Sequence, residues 1–176
     1  DYLVIAVQDI SRRRAAEQAL RKSESRLRTL VHTLPDLVWL KDTEGVYLFC
    51  NPMFERFFGA AEKDIIGRTD YDFVDRDQAD SFRENDRRAM LAGQPRLNEE
   101  SLSFRLDGYY GLFETTKTPM YDDAGSLIGV LGIAHDITER KRFEEQIQEQ
   151  NRIYALLSQT NESIVRSSDE SELLHQ

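Results

Sequence analysis

A short phrase that occurs twice, each time between an apolar run and a charged stretch, constrains the fold most. Residues 9–11 (Asp-Ile-Ser) follow the apolar run Leu3–Val7, and residues 136–138 (Asp-Ile-Thr) follow Leu127–Ala134. In the charged residues after each phrase, apolar positions recur at helical spacing. We interpret each phrase as the point where a strand ends and a helix begins. Two such points predict a tandem array: the last strand of one domain, a whole domain, and the start of a further segment.

Long helices with an apolar seam are predicted on both sides of the whole domain. The first covers residues 11–34 and ends at Pro35, because proline lacks an amide donor and restricts the residue before it. The second begins at Thr138 and has a weaker seam. Both seams are spaced by about three and four residues, as in heptad repeats that pair helices. The seam positions expected to pair two copies of the chain as a homodimer are Leu20, Leu27, Leu30, Leu34, Phe143 and Ile147.

The segment between these helices has the pattern of an α+β domain. Two short strands joined by a hairpin come first, and Asn51-Pro52 then favours the start of a helix. A longer helix over 75–92, with Asp75 or Asp77 as its cap, precedes three more strands. We predict one sheet of five antiparallel strands, with the short helices grouped on one face. The predicted strands are 37–41, 46–50, 96–106, 109–120 and 126–135.

The charge balance and the length of the apolar runs exclude some partners. The net charge is −9, from 23 basic and 32 acidic residues, which argues against a nucleic-acid surface. The longest run without charge, residues 126–135, is too short to span a membrane. We therefore expect no membrane contact within this fragment and a cytoplasmic location, with a membrane anchor elsewhere in the parent protein left open. Cys50 is the only cysteine, which fits a reducing compartment.

Catalytic motifs are absent from the sequence. The three histidines, His32, His135 and His175, have no metal-ligand spacing, and Cys50 has no cysteine or histidine beside it. The sequence contains neither a Gly-x-Ser-x-Gly motif nor a phosphate-binding loop. We predict that this fragment is not an enzyme and binds no metal.

The order of the elements, with the residues that fill them, resembles the Per-Arnt-Sim (PAS) family of sensor domains. The resemblance covers about residues 30–138. The segments 67–73 and 82–88 are similar to the bacterial subgroup found in sensor histidine kinases and cyclic-di-GMP enzymes. The motifs that carry the resemblance are the hairpin Asp42-Thr43-Glu44-Gly45, Asn51-Pro52, Gly59, Ile66-Gly67, the segment 119–125, Gly129 and Asp136-Ile137-Thr138.

The resemblance implies a domain map and a set of partners. Residues 1–10 look like the C-terminal strand of a preceding PAS domain, and 11–34 form a linker helix. The PAS domain covers 35–138, a coiled-coil-like signalling helix covers 139–158, and 159–176 look like the start of a GAF-like domain. The implied partners are these neighbouring domains and an output domain in the parent chain, either a histidine kinase or a cyclic-di-GMP cyclase or phosphodiesterase.

The cofactors of the family can be compared with this sequence residue by residue. Haem-binding PAS domains supply a histidine from the long helix or its vicinity, and no histidine lies between Asp75 and Gly93. Flavin photosensors of the light-oxygen-voltage type carry a reactive cysteine in an Asn-Cys-Arg-Phe-Leu motif, whereas Cys50 precedes Asn51 at the end of a strand. We therefore expect neither cofactor, and we interpret Cys50 as a small core residue.

A polar group on the apolar face of the sheet is the candidate ligand site. A two-residue turn at Asp107-Gly108 would make Glu100 and Lys117 diagonal neighbours on the face toward the helices, with space beside Gly132. The two side chains form a structural ion pair or meet the charged group of a small polar metabolite, and a one-residue slip would exchange the faces. The candidate pocket residues are Trp39, Met53, Phe57, Phe73, Asn98, Glu100, Leu102, Phe104, Phe113, Thr115, Lys117 and Gly132.

The other face of the sheet is also apolar and needs a cover. The helix over 11–34 or a partner subunit is expected to provide it. The apolar residues of that face are Tyr110, Leu112, Leu127, Leu131 and Ile133.

The second Asp-Ile-Thr phrase is the predicted relay point. A change in the pocket or dimer interface would pass along the last strand, through Asp136 and Ile137, into the helix that begins at Thr138. We expect Asp136 to accept hydrogen bonds from amides at the helix start and from Arg140 or Lys41. The alternatives are a PAS domain that binds no ligand, dimerises and acts as a spacer, and an enzyme acting on a small molecule.

Overall fold

In the computed structural model, the backbone of residues 2–173 and the side chains of residues 13–157 are described. The chain divides after Asp136 into two compact units. The helices are α1 (Tyr2–Thr33), α2 (Pro52–Phe58), α3 (Glu62–Ile65), α4 (Arg76–Ala92) and α5 (Thr138–Leu173), with a 3-10 turn at Asp70–Asp72. The strands are β1 (Leu37–Lys41), β2 (Tyr47–Cys50), β3 (Arg96–Ser103), β4 (Tyr110–Tyr121) and β5 (Leu127–Asp136).

The five strands form one antiparallel sheet in the order β2-β1-β5-β4-β3. β5 therefore lies in the middle of the sheet, between β1 and β4. Helix α2 contacts β1, and α4 contacts β3, β4 and β5. The predicted α+β architecture, one antiparallel sheet with short helices beside it, is confirmed.

The helix caps follow from the sequence. The side-chain oxygen of Asn51 accepts hydrogen bonds from the amides of Phe54 and Val38, at 3.1 and 3.0 Å, so it caps α2 and fixes the start of β1. Asp75 caps α4 by accepting from the amide of Gln78. Of the two cap candidates for α4, Asp75 is the one used.

The register of β3 against β4 differs from the prediction by two residues. Glu100 lies opposite Phe113 rather than Thr115. The reason is that β3 ends at Ser103, because Phe104 turns into the core and the Arg105 amide donates to the carbonyl of Phe57 in α2. The shift is even, so the predicted side chains still face the helices.

A two-residue turn also predicts Leu102 opposite Phe113 and Asn98 opposite Lys117, and both pairs shift in the same way. Leu102 lies opposite Gly111, and Asn98 lies opposite Thr115. In the neighbouring ladder, Lys117 lies opposite Gly132, whereas the hairpin before Ser126 predicts Val130 at that position. The prediction of a two-residue turn at Asp107-Gly108 is therefore wrong, whereas the predicted division of the strands into two faces is correct.

An aromatic core fills the space between the sheet and the short helices. The Phe58 ring stacks on Phe73 at 4.5 Å between centroids and meets Phe54 edge-on at 4.7 Å. Such offset and edge-on pairs add to the stability from burial alone. The buried large residues of this core are Leu37, Trp39, Tyr47, Phe54, Phe57, Phe58, Ile65, Phe73, Phe82, Leu102, Phe104 and Phe113.

The N-terminal segment differs from its prediction as a strand. Residues 2–8 belong to α1, because a strand without a partner leaves its backbone groups unpaired, whereas a helix pairs them internally. The assignment of residues 1–10 to a preceding PAS domain stays a prediction. Residues 13–30 are exposed, so this part of α1 does not cover the outer sheet face as expected. A partner subunit remains the predicted cover for that face.

The outer face and the helix seams are accessible to solvent. On the sheet, Tyr110 is exposed, while Leu112, Leu127, Leu131 and Ile133 are half-buried. The exposed seam residues are Leu20, Leu27, Leu30, Leu34, Phe143 and Ile147. Within the part of the chain that the structure describes, no helix is long and apolar enough to cross a bilayer.

Candidate functional site: a buried charge network

Four charged side chains, two lysines and two aspartates, are buried together between the sheet and the helices. Lys41 Nζ lies 2.7 Å from Asp70 Oδ2 and 2.8 Å from Asp86 Oδ2. Lys117 Nζ lies 2.5 Å from Asp86 Oδ1. The hydroxyl of Tyr47 donates to Asp70 Oδ1 at 2.6 Å. At most 3% of any of the four charged residues is exposed, and their formal charges cancel. We call Lys41, Tyr47, Asp70, Asp86 and Lys117 the charge network.

The network connects the helical layer to the two strands on either side of β5. Asp86 lies on α4 and Asp70 lies in the 3-10 turn, whereas Lys41 is on β1 and Lys117 is on β4. Across the sheet, Lys41 pairs with Val130 and Lys117 pairs with Gly132. Both lysines therefore flank the same short stretch of the central strand.

Each shifted pKa in the network favours the bonded state. Burial alone would raise the pKa of Asp86, but Lys41 and Lys117 hold it below its usual value. Burial alone would lower the pKa of Lys41, but Asp86 and Asp70 hold it above its usual value. Burial, followed by the nearby charge of Asp70, raises the pKa of Tyr47 well above its usual value. At neutral pH, therefore, Asp86 and Lys41 are charged and the Tyr47 hydroxyl keeps its proton.

These shifts predict a plateau of stability with a loss at each end. The Asp86 pKa is lowered from 3.8, so its contribution is present above that pH and is lost as pH falls through the lowered value. The Lys41 and Tyr47 pKa values are raised from 10.5 and 10.0, so their contributions are present below these values and are lost as pH rises through the raised values. Urea unfolding should show an alkaline decline that is shallower in Tyr47→Phe. An equal decline in both proteins would contradict this assignment.

The predicted pair between Glu100 and Lys117 is wrong. Lys117 instead donates to Asp86 and to the carbonyl of Phe82 at 3.0 Å, and Glu100 accepts from the Thr115 hydroxyl at 2.6 Å. Reasoning within the sheet alone missed Asp86, because the partner comes from the helix packed on that face.

A sequence signal for the network did exist. Asp86 lies on the same helical stripe as Ala79, Phe82 and Ala89, which are all buried, and a charge on an apolar stripe needs a buried partner. Lys41 likewise alternates with Leu37 and Trp39 on the buried side of β1. Asp70, in the 3-10 turn, has no such periodic signal.

The cavity beside the network is small. The volume open to the centre of a water molecule is about 10 Å³, which is room for about one water. The predicted space beside Gly132 is filled, because a Cβ built there would lie 2.2 Å from the Trp39 ring. The residues that line the cavity are Leu37, Trp39, Lys41, Tyr47, Phe54, Phe57, Asp70, Phe82, Glu100, Leu102 and Lys117.

Five of the predicted pocket residues therefore lie at the cavity, and seven lie elsewhere. Those at the cavity are Trp39, Phe57, Glu100, Leu102 and Lys117. Phe73, Phe104, Phe113, Thr115 and Gly132 are buried around it, whereas Met53 and Asn98 are half-buried. Sequence reasoning missed Leu37, Lys41, Tyr47, Phe54, Asp70 and Phe82, which are the remaining lining residues.

The indole nitrogen of Trp39 is a buried donor without an acceptor among the described residues. Trp39 is 6% exposed, and its ring lies 5.1 Å from that of Phe54. A buried N–H group that lacks an acceptor is costly. The charges of the network are paired with one another. The indole N–H of Trp39 is therefore the polar group of the cavity wall that lacks a partner among the described residues.

The residues of the second Asp-Ile-Thr phrase lie at the end of β5 and the start of α5. Asp136 accepts a short hydrogen bond of 2.5 Å from the hydroxyl of Tyr109, a residue that sequence reasoning missed. Of the two side chains predicted as alternative partners of Asp136, Lys41 belongs to the charge network instead, and the Arg140 alternative stays a prediction. Ile137 is buried, Thr138 is the first residue of α5, and Arg140 is exposed.

Cys50 and the described histidines, His32 and His135, form no reactive centre; His175 lies outside the described residues. Cys50 is 1% exposed, and burial, with a smaller effect of the nearby acids Glu62 and Glu55, raises the pKa of its thiol to about 12. It is therefore an inert core residue at neutral pH. Among the described residues, no cluster of three or more histidine, cysteine or acidic side chains is placed to hold a metal.

Comparison with known proteins gives relatives in signalling. A family model described as the PAS fold matches residues 31–142. The methanogenesis regulatory histidine kinase FilI of Methanothrix harundinacea is 31% identical over 157 residues, which are 89% of this chain and 18% of FilI. A diguanylate cyclase of Vibrio cholerae is 27% identical over 111 residues, which are 62% of this chain and 35% of the cyclase.

A solved structure with a similar fold is that of VqmA bound to DPO. It superposes with a TM-score of 0.60 and 25% identity, covering 68% of this chain and 60% of VqmA.

This chain spans only part of its sequence relatives. It corresponds to about a fifth of FilI and about a third of the cyclase.

Proposed function

This chain belongs to the PAS family, and on that premise we propose that residues 35–138 are the sensory and relay module of a multidomain signalling protein. Its relatives include a histidine kinase and a diguanylate cyclase, so a kinase or a cyclic-di-GMP enzyme is the proposed output class. The module itself carries no catalytic step. The observation that carries the proposal is the placement of Lys41 and Lys117 on the two strands that flank β5.

The relay that we propose begins in the charge network. A change in the contacts of Asp86 alters both β1 and β4, because its carboxylate holds Lys41 and Lys117 at once. Both strands are bonded to β5, which ends at Asp136, two residues before Thr138 begins α5. A displacement of the central strand is thereby passed along the chain to the signalling helix.

A small polar molecule in the cavity is the proposed input. The indole N–H of Trp39, which has no acceptor among the described residues, would donate a hydrogen bond to an acceptor on the ligand. Because the charges of the network cancel, the ligand needs no net charge to bind beside it. VqmA, whose structure is similar, is bound to DPO in a solved structure. The present cavity fits about one water, so ligand entry requires the aromatic core to move. Native mass spectrometry of the purified chain tests this: a bound mass of metabolite size supports it, and a bare chain favours the spacer alternative.

The homodimer and the cytoplasmic location remain part of the proposal. Two helices with exposed seams, such as Leu27 and Leu30 on α1 and Phe143 on α5, suit pairing with a second copy. Neighbouring PAS and GAF-like domains would then be aligned along the paired helices.

Replacing Asp136 with alanine should change the output activity of the full-length protein while leaving the domain folded. The Tyr109 hydroxyl loses its acceptor, and Tyr109→Phe should have a smaller effect in the same direction. His135→Ala is the matched control, because His135 directly precedes Asp136 in the chain, is exposed and pairs with Asp36 instead. The measurement is autophosphorylation or cyclase activity, with thermal unfolding as the folding check. Unchanged output in Asp136→Ala would contradict the relay.

A further inference from the structure

The side chain of Asn51 joins three elements of the domain. Its oxygen accepts hydrogen bonds from the amides of Phe54 in α2 and Val38 in β1. Its nitrogen donates to the carbonyl of Val31 in α1 at 3.3 Å and to the carbonyl of Asp36 at 2.8 Å. Asn51 is fully buried, and its carboxamide has two donors and two acceptor lone pairs. All four are used, so α1, β1 and α2 meet at one saturated side chain.

The bond from Asn51 to Val31 is at the C-terminal end of α1. Since α1 ends at Thr33, the Val31 carbonyl is one of the last four of the helix, which have no amide partner within it. The amide of Leu34 reaches this carbonyl at 3.4 Å, and Asn51 supplies a second donor. The same side chain therefore caps the end of α1 and the start of α2.

The other partners of Asn51 belong to the wall of the cavity or lie beside it. Phe54 lines the cavity, and the centre of its ring is 5.1 Å from that of Trp39. Val38 lies between Leu37 and Trp39 on β1, and both of these residues line the cavity. A single side chain thus connects the end of α1 with two walls of the cavity.

Helix α1 approaches this connection through solvent. Residues 13–30 are exposed, and Arg28 lies 3.6 Å from Glu62 in α3, with side chains that are 63% and 24% exposed. An ion pair as accessible as this contributes little, whereas the bonds of Asn51 are buried and therefore stronger. Rigid helices that end in packed groups can carry coupling between distant parts of a protein.

We propose that Asn51 is a positioning residue through which the position of α1 controls the cavity, so that α1 is a second input to the module besides a small ligand. A displacement of the last turn of α1 moves the carboxamide of Asn51. The same carboxamide holds the first turn of α2, so the ring of Phe54 shifts against Trp39. This second input rests on the proposed function only for the path from the cavity to the output.

The test disturbs α1 and measures the response of α2 by hydrogen exchange of the whole chain. Thr29→Pro breaks the end of α1, because proline removes a donor and clashes with the carbonyl four residues earlier. Exchange at the α2 amides 54–58 should rise about fivefold, the lower end of the usual coupling between two sites. The emission of Trp39, the only tryptophan, should shift as well. Arg14→Pro breaks the same helix far from the cavity and should change neither signal.

Asn51→Asp separates the two halves of the carboxamide. It keeps the oxygen that α2 and β1 use, but it replaces the nitrogen that α1 uses with an oxygen, which cannot donate when ionised. In this background Thr29→Pro should leave the exchange of residues 54–58 unchanged. An equal rise with and without Asn51→Asp would overturn the proposal, and so would an equal rise in Arg14→Pro.

A nuclear magnetic resonance measurement decides the matter even where Asn51→Asp fails to fold. The side-chain amide protons of Asn51 should exchange slowly in the original protein and faster in Thr29→Pro, and equal rates would overturn the proposal. Neither readout uses a ligand or the output activity. Loss of the coupling together with a changed output in Asp136→Ala would overturn the role of Asn51 alone, whereas intact coupling with unchanged output would overturn only the relay.

Discussion

Replacing Asp86 with alanine should lower the free energy of unfolding by about 3–5 kcal/mol, the usual cost of removing one partner from a buried ion pair. Its carboxylate holds Lys117 at 2.5 Å and Lys41 at 2.8 Å. Lys41 keeps Asp70 in the variant, whereas Lys117 keeps only the carbonyl of Phe82. Urea unfolding followed by circular dichroism measures the loss.

Two further variants test whether the loss of stability comes from the burial of the Asp86–Lys117 pair rather than from the loss of an acidic charge. Glu84→Ala removes an acid from the same helix, but one whose partners, Arg87 and Arg88, are exposed, so the unfolding midpoint should hardly move. The double variant Asp86→Leu/Lys117→Met replaces both members of a buried pair and should recover most of the stability. If Asp86→Ala cost no more than Glu84→Ala, the network would not hold the helices to the sheet.

Replacing Gly132 with valine should destabilise the domain by about 1–3 kcal/mol, the usual cost of overpacking a core. A Cβ at this position would lie 2.2 Å from the Trp39 ring, so the indole must leave its place. Thermal unfolding measures the loss.

The matched test of this clash is a smaller side chain at position 39. Trp39→Leu alone should destabilise the domain by leaving a cavity, but combined with Gly132→Val it should cost less than the sum of the two changes. Additive losses would show that Gly132 and Trp39 do not share this space.

The sequence alone was enough to predict those features that depend on residues close together in the chain. Asn51 and Asp75 cap α2 and α4, because a capping side chain acts within one helical turn, and α5 begins at Thr138 as predicted. The two faces of the sheet followed from alternation, and even the wrong register left Leu102 and Phe113 in the core, since the error was two residues.

The predictions that were wrong concern contacts between elements that are far apart in the chain. The end of β3 is set by the bond from the Arg105 amide to α2, which no local pattern contains. The partner of Lys117 is on α4, 31 residues earlier in the chain. The partner of Asp136, Tyr109, comes from the connection before β4. These contacts are tertiary, so the candidate site was only partly predictable although the fold was predicted.

The relay proposed above gives the network a specific role. Since its charges cancel and its donors are bonded, a ligand does not need to neutralise it but can compete for one of its bonds. Breaking the Asp86–Lys117 contact would leave β4 held to α4 by the weaker bond from Lys117 to the Phe82 carbonyl, while the Asp70–Lys41 contact would still hold β1. The two strands beside β5 would then respond unequally, which is a mechanical change that a central strand can transmit.

Hydrogen exchange of the Asp86→Leu/Lys117→Met variant tests the coupling of the network to the relay point most directly. The variant should be about as stable as the original protein, so differences in exchange report local coupling rather than global unfolding. We predict faster exchange at the amides of β5 and of the first turn of α5, residues 127–141. Faster exchange confined to β4 and α4, with unchanged rates from Leu127 onward, would contradict the account.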